Sequence, residues 1–386
     1  MTRLGIYVQV PFCQTKCTYC NFHTGVFSRN LHIPYVEAVC REIAGYPELL
    51  RGAGIMRVSE ALVDTVYFGG GTPSLFDPIG LARVLDAIRA GFECTLEEVT
   101  LEADPETITS DNAAAWREAG FNRISMGVQS FQDNELKAAG RMHRRDDVFH
   151  ATRTLREAGF QNISFDLIAG LPHQTHESWD ESVGQLITLR PEHASVYLME
   201  IDEGSRLGLE VLRGGTRYSA SALPSDDAMA GFYERACGRL AAAGYVHYEI
   251  SNWSLPGFES KHNLKYWRRE PYVGFGAGAH SFNGTQRWAN PHDPAAYVTA
   301  IGQEGFRVEQ LEDISREQAL EEELFLGLRQ LEGIDLARIE SQYSACLRPR
   351  VEQLCAQGLV EWSGTRLRLA PDRLTVSNEV FVNLLN

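Results

Sequence analysis

The sequence predicts an α/β fold with parallel strands, because six apolar, β-branched runs alternate with amphipathic stretches over its first 200 residues. Two further observations point the same way. WREAGF and LREAGF each close a helical pattern on Gly and Phe just before a new strand, a helix stop followed by a tight return. The loops richest in Cys, Gly and charged residues all follow strands, where reactive groups collect in parallel folds.

Taken in order, the first strand is LGIYVQV (4–10), which runs into PFCQTKCTYC. The helical stretch YVEAVCREIAGYPELL leads to LVDTVYF (62–68) and the loop GGGTP. IGLARVLDAIRAGF leads to EVTLEA (98–103), with EADPET at its end, and DNAAAWREAGF leads to NRISMGV (122–128) and QSF. DVFHATRTLREAGF precedes NISFDLI (162–168) and GLPHQ, and HESWDESVGQLITL precedes HASVYLM (193–199). Helix-length connections of this kind require parallel strands with right-handed crossovers. Six repeats by themselves suit either an open doubly wound sheet or an incomplete barrel. Residues 205–260 are mixed, with a helix at DDAMAGFYERACGRLAAAG, and a Gly- and aromatic-rich stretch, HNLKYWRREPYVGFGAGAHSF, comes next. From about 315, EQALEEELFLGLRQL, LARIESQYSACL and RPRVEQLCAQG read as helices, and LVEWSGTRLRLAP as a hairpin turned at Ser-Gly. That end predicts a winged-helix-like α+β module. The expected divisions are 1–205, 206–300 and 301–386.

Composition excludes several classes. Lys and Arg number 36 against 51 Asp and Glu, a net charge of −15. An acidic surface repels phosphate backbones and anionic lipid, so no nucleic acid partner is expected, and the winged-helix-like module is assigned to packing or capping. No apolar run approaches the roughly 20 residues that span a bilayer, and MTRLGIYVQV is too short and strand-like for a signal peptide. The expected compartment is the cytoplasm. Eight cysteines make no disulfide framework there. Five of them (Cys40, Cys94, Cys237, Cys346 and Cys355) are scattered and read as small buried hydrophobes.

Cys13, Cys17 and Cys20 are different. Three thiolates on a short loop after a first strand can hold three corners of a cubane iron–sulfur cluster and leave one iron open. A structural zinc site would want a fourth Cys or His in a matching pair, and the chain has no second CxxC. The CxxxCxxC spacing resembles the signature of the radical S-adenosylmethionine (SAM) superfamily. That resemblance implies a partial (βα)6 barrel and a 4Fe-4S cluster whose open iron is chelated by SAM. It also implies that Gly70, Gly71 and Thr72 of GGGTP meet SAM. Glu102, Gln129, Arg141 and Asp166 match positions that contact its ribose or carboxylate in relatives, and Tyr7 and Tyr19 match aromatics flanking cluster and adenine. Taken singly, Glu102 and Asp166 could equally be helix caps, and the tyrosines core. Gln9 stands where the family usually carries His.

Within the superfamily the chain resembles the group of oxygen-independent coproporphyrinogen dehydrogenase (HemN). Phe22 replaces the dehydrogenase's additional cysteine, and only six residues precede Tyr7 where that enzyme has a long arm. HNLKYW resembles the motif of the heme-chaperone (HemW) branch, which makes His262, Asn263, Tyr266 and Trp267 the expected heme residues. An imidazole is a common axial ligand and aromatic faces suit a macrocycle, although a His beside aromatics is also an ordinary packing arrangement. Lys261, Lys265, Arg268 and Arg269 could pair with propionates or form a solvated face, and His280 is a second possible ligand. The branch implies a heme chaperone that passes heme to an apo-hemoprotein, at most a membrane-associated one, with a reductant for the cluster. Whether SAM is cleaved stays open. The rivals are a tetrapyrrole-acting radical SAM enzyme, a HemN-like C-methyltransferase, and a binding protein with a structural cluster.

Overall fold

The computed structural model describes residues 1–58, 60–303 and 308–385. Strand β1 (Thr2–Val10) is followed by α1 (His32–Ala53), β2 (Ala61–Gly70), α2 (Pro78–Gly91), β3 (Cys94–Ala103) and α3 (Ser110–Ala119). Then come β4 (Arg123–Gln129), α4 (Asp133–Ala139), α5 (Arg145–Glu157), β5 (Ile163–Ala169), α6 (His176–Leu189) and β6 (His193–Leu198). Each strand from β1 to β6 pairs in parallel with the next, so the six repeats form the staves of a partial barrel. The two AGF signals act as expected: Gly120 and Gly159 take φ of 107° and 90°, and Phe121 and Phe160 behind them are buried. Thr109 caps α3, and Thr175 with Ser178 forms a capping box on α6.

The barrel is open, and later strands extend both edges. The chain continues through α7 (Arg206–Leu212), α8 (Asp226–Ala242), β7 (Val246–Glu249), β8 (Asn252–Ser254), α9 (Lys261–Trp267) and β9 (Tyr272–Phe275). Strands β10 (His280–Phe282) and β11 (Gln286–Ala289), helix α10 (Pro294–Gln303) and β12 (Gln310–Asp313) follow. The sheet order is β12-β11-β10-β9-β1-β2-β3-β4-β5-β6-β8-β7. Strand β9 lies parallel to β1, and β8 closes antiparallel on β6. The Gly- and aromatic-rich stretch is therefore a helix and two strands of the main sheet. The C-terminal module holds α11 (Arg316–Gly327), α12 (Leu336–Tyr343), α13 (Arg348–Ala356), the hairpin β13 (Val360–Ser363) and β14 (Arg366–Leu369), and α14 (Ser377–Leu385). Its Ser-Gly turn has Gly364 at φ 63°. Among the described residues no helix is long and apolar enough to cross a membrane.

Strand alternation sorts the barrel's two faces. Ile6, Val8, Val66, Phe68, Val99, Leu101, Ile124, Met126, Phe165 and Val196 are all at most 2% exposed and form the core beneath the helices. Each such side chain contributes about 1.5–3 kcal/mol. The intervening positions face the barrel interior and are polar: Thr65 and Tyr67 on β2, Glu98, Thr100 and Glu102 on β3, and Ser164 and Asp166 on β5. A polar interior open at one end is a site in waiting.

Candidate functional site

Eleven of the expected residues line one cavity of about 430 Å³ at the carboxyl ends of the strands. They are Cys13, Cys17, Tyr19, Cys20, Gly70, Gly71, Thr72, Glu102, Gln129, Arg141 and Asp166. The cysteine loop is held by its own backbone. Cys13 N–H donates to the Gly25 carbonyl at 2.8 Å, and Gly25 N–H donates to Pro11 at 2.9 Å. Thr18 anchors the loop to the end of α4, donating its N–H to Ala139 (3.0 Å) and its hydroxyl to Ala138 (3.2 Å).

The glycine loop after β2 presses against it. Gly71 and Thr72 donate their N–H groups to the carbonyls of Val10 and Phe12, both at 2.8 Å. A Cβ on Gly71 would lie 2.6 Å from the Phe12 carbonyl oxygen, so a side chain there would drive the two loops apart. Gly70 holds φ 112° over the Gln9 carboxamide, which would stand 2.5 Å from a Cβ. Gln9 thus lies directly against the glycine loop.

The charges are organised in two sets. Glu102 accepts hydrogen bonds from Gly70 N–H (3.0 Å) and the Tyr67 hydroxyl (2.9 Å). Burial pushes its carboxyl up to about 7, against the Tyr67 bond and with help from Asp166. Asp104 accepts from Thr72 at 3.1 Å and pairs with Arg141. Arg141 also donates to the Gly127 carbonyl (2.8 Å) and reaches Cys17 Sγ at 3.7 Å. Burial opposes the guanidinium's charge, yet Asp104, Tyr19 and Cys17 hold it well above its ordinary value. Burial also pushes the Cys13 thiol up to about 11, with Cys20, Asp104 and Cys17 contributing in the same direction. Thiols crowded in this way ionise readily only when a metal cation joins them.

Four residues of the lining carry a buried polar atom without a hydrogen-bond partner: Glu106 Oε2, Gln129 Oε1, Arg141 Nε and Asp166 Oδ1. Gln129 is also held at φ 65°, a strained conformation for a side chain at the end of β4. Unfilled hydrogen-bonding capacity around a cavity is what a polar ligand completes. Among the described residues no three His, Cys, Asp or Glu side chains converge closely enough to hold a single ion. Cluster thiolates bind separate irons and stand further apart, so this donor set suits a cubane with a polar ligand beside it.

Five expected residues lie elsewhere. Tyr7 does not line the cavity; it points into the barrel below the mouth and stacks on Tyr67 at 5.9 Å. The reason is register, since Tyr7 is three residues short of the carboxyl end of β1. His262 sits deeper still, 1% exposed, packed against β1 and β2. Its Nδ1 shares a hydrogen bond with the Thr65 hydroxyl (2.9 Å), its Nε2 with the Tyr266 hydroxyl (2.9 Å), and its backbone N–H donates to Glu98 (3.0 Å). Burial lowers the imidazole to about 3, Lys265 and Arg123 adding to the effect, so it stays neutral. Asn263 and Trp267 are half-buried on the same helix. Of the neighbouring cations, Lys261 pairs with Glu97 (2.6 Å), Lys265 with Asp64 (2.8 Å) and Arg269 with Glu322 (2.7 Å). Asp104 is the residue missed in the sequence. Its signal was its place two residues beyond Glu102 at the strand end.

Residues 7–186 match the radical SAM superfamily and residues 314–372 the HemN C-terminal domain. The chain is 34% identical to the heme chaperone HemW of Bacillus subtilis over 97% of both chains. It is 33% identical to mouse mitochondrial radical S-adenosyl methionine domain-containing protein 1, over its own full length and 88% of the mouse chain. The coproporphyrinogen III oxidase HemN of Escherichia coli superposes with a TM-score of 0.82 at 22% identity, covering 99% of this chain and 90% of that one, which is a likeness of fold.

Proposed function

Since the chain belongs to the radical SAM superfamily, within the family of the HemW heme chaperones, we propose that it takes up heme as cargo and hands it to an apo-hemoprotein. The observation that carries this reading is the meeting of Cys13, Cys17 and Cys20 with Gly70–Thr72, Glu102 and Arg141 in one cavity, within a chain that matches HemW along nearly its whole length. The 4Fe-4S cluster and SAM, when bound, supply one-electron chemistry at a sulfonium.

The protein's own groups would act as follows. Cys13, Cys17 and Cys20 hold the cluster. The backbone of Gly70–Thr72 meets the amino acid part of SAM, and Arg141, kept charged by Asp104, offers a guanidinium to its carboxylate. Glu102 and Asp166 offer acceptors to the ribose hydroxyls, and Tyr19 flanks the cluster. A reductant must reach the cluster, and the acceptor is an apo-hemoprotein, membrane-associated or not.

The HNLKYW residues His262, Asn263, Tyr266 and Trp267 remain the family's heme motif, with a condition set by packing. For His262 to bind iron it must leave Thr65 or Tyr266, and α9 must lift from the barrel. Anaerobic reconstitution with iron and sulfide, followed by EPR and heme titration, tests the whole reading. The expected outcome is a reduced-cluster signal that SAM perturbs and a stoichiometric Soret band. Zinc in place of the cluster, or no heme uptake, would overturn it. Formation of 5′-deoxyadenosine coupled to a change in a tetrapyrrole would move the chain to the enzymes.

A further inference from the structure

Between the cavity and the HNLKYW helix stands a group of aromatic side chains that touches both. The hydroxyl of Tyr67 on β2 donates to Glu102 Oε1 (2.9 Å), and the other Glu102 oxygen accepts from Gly70 N–H (3.0 Å). The carboxylate is therefore held at both oxygens by β2 and the glycine loop at its end. The ring of Tyr67 stacks on Tyr7, with centroids 5.9 Å apart and planes at 17°. It also stacks on the imidazole of His262, at 5.3 Å and 28°. A Cβ on Gly69 would lie 2.9 Å from Tyr67 Cε1 and from the Tyr7 hydroxyl, and 3.0 Å from Glu102 Oε1. Those three side chains fill the space that the glycine leaves, so packing fixes where they stand.

Helix α9 is seated on the same two strands. The backbone N–H groups of Lys261 and His262 donate to Glu98 of β3, at 3.1 and 3.0 Å. Lys265 meets Asp64 of β2 at 2.8 Å, both side chains being buried. Glu98 and Glu102 lie four residues apart on one face of β3, and Thr65 and Tyr67 two apart on one face of β2. Each strand thus carries a contact to α9 and, further along, a contact to the cavity. With Thr65 and Tyr266 on its two ring nitrogens, His262 is fully engaged in this seat. An iron at either nitrogen must displace one of those partners.

We propose that Tyr67 couples the two sites: heme binding at His262 draws the imidazole off Tyr67, which loosens from Glu102 and leaves the acceptor for the SAM ribose out of place. The linkage is reciprocal, so bound SAM holds His262 in its seat and weakens heme uptake by the same factor. It runs through three direct contacts, His262 to Tyr67, Tyr67 to Glu102 and Glu102 to Gly70. Tyr67 is not among the residues lining the cavity, so it acts through Glu102 as a positioning residue. The inference rests on the chaperone reading, with heme at HNLKYW, and adds to it that heme and SAM oppose each other's binding.

Equilibrium dialysis of labelled SAM against the anaerobically reconstituted full chain tests this, with the cluster kept oxidised so that SAM stays intact. Wild type and Tyr67→Phe are each measured with and without ferric heme, the Soret band recording heme uptake. Heme is expected to weaken SAM binding to wild type about fivefold. Tyr67→Phe keeps the ring and loses the bond to Glu102, so it should bind SAM about fivefold more weakly without heme and respond little to it. A wild type that takes up heme and binds SAM equally or more tightly would overturn the linkage and leave the chaperone reading standing. Heme that still weakens SAM in Tyr67→Phe as much as in wild type would place the competition in the cavity itself, and would overturn the role of Tyr67. If Tyr67→Phe does not fold, the wild-type pair of measurements decides. Absence of a Soret band in the wild type would remove the chaperone reading itself, and the linkage with it.

Discussion

Glu42 is an acidic side chain wholly inside the core, where it joins α1 to the segment after β9. Burial pushes its carboxyl up to about 7, against the bonds from Tyr297, Gly276 and Asn290. The folded protein therefore binds a proton there that the unfolded chain releases nearer 4.5. Such a group costs nothing below the unfolded value and costs most above about 7, so its contribution makes stability fall as pH rises between the two. The full effect is about 3 kcal/mol. Glu42→Gln should flatten the fall in melting temperature across that window, and an unchanged slope would refute the assignment. No sequence pattern marks Glu42, since YVEAVCREI is as compatible with a solvated glutamate as with a buried one. Cys13, Cys17 and Cys20 were legible because their donors are local, fixed by spacing along one loop. Asp104 was not, because its partners Thr72 and Arg141 lie on other elements.

At the scale of elements, the glycine loop is shaped by contact rather than by propensity. Gly71→Ala puts a methyl 2.6 Å from a carbonyl oxygen and should cost about 1–3 kcal/mol. It should also abolish the SAM effect on the cluster's EPR while the cluster itself still assembles. Gly238 in α8 has nothing within 4 Å of a Cβ, and Gly238→Ala should stabilise by about 0.5–1 kcal/mol. Equal melting temperatures for the two variants would contradict this account. The strands and crossover helices were legible from periodicity alone, and α6 runs over the same fourteen residues, His176–Leu189, that the pattern marks. Helix α4 escaped notice because seven residues make only two turns, too few to show a period. Strand β9 was hidden by Gly274, which the close packing against the His280 carbonyl requires.

Across the whole molecule, one carboxylate shared by two arginines is among the contacts that join the C-terminal module to the barrel extension. Glu322 of α11 accepts from Arg269 (2.7 Å) and Arg287 (2.8 Å), both guanidinium groups lying over the Phe282 ring. Arg269 is 12% exposed, so Glu322→Ala leaves a buried cation uncompensated and should cost about 3–5 kcal/mol. Calorimetry should record a lower transition that resolves into separate steps for barrel and module; a single transition at the wild-type temperature would mean the clamp is not needed. The sequence by itself determined the parallel α/β order, the cysteine triad and the glycine loop, because periods of 2 and 3.6 and short spacings are written along the chain. Only the tertiary structure decided which polar residues share a space. It carried Arg141 to Cys17 and Asp104, drew Tyr7 and His262 into the barrel interior, and set His292 beside His23. Those outcomes depend on strand register and on which edge of the sheet a late segment joins, and neither is encoded in any local run of residues.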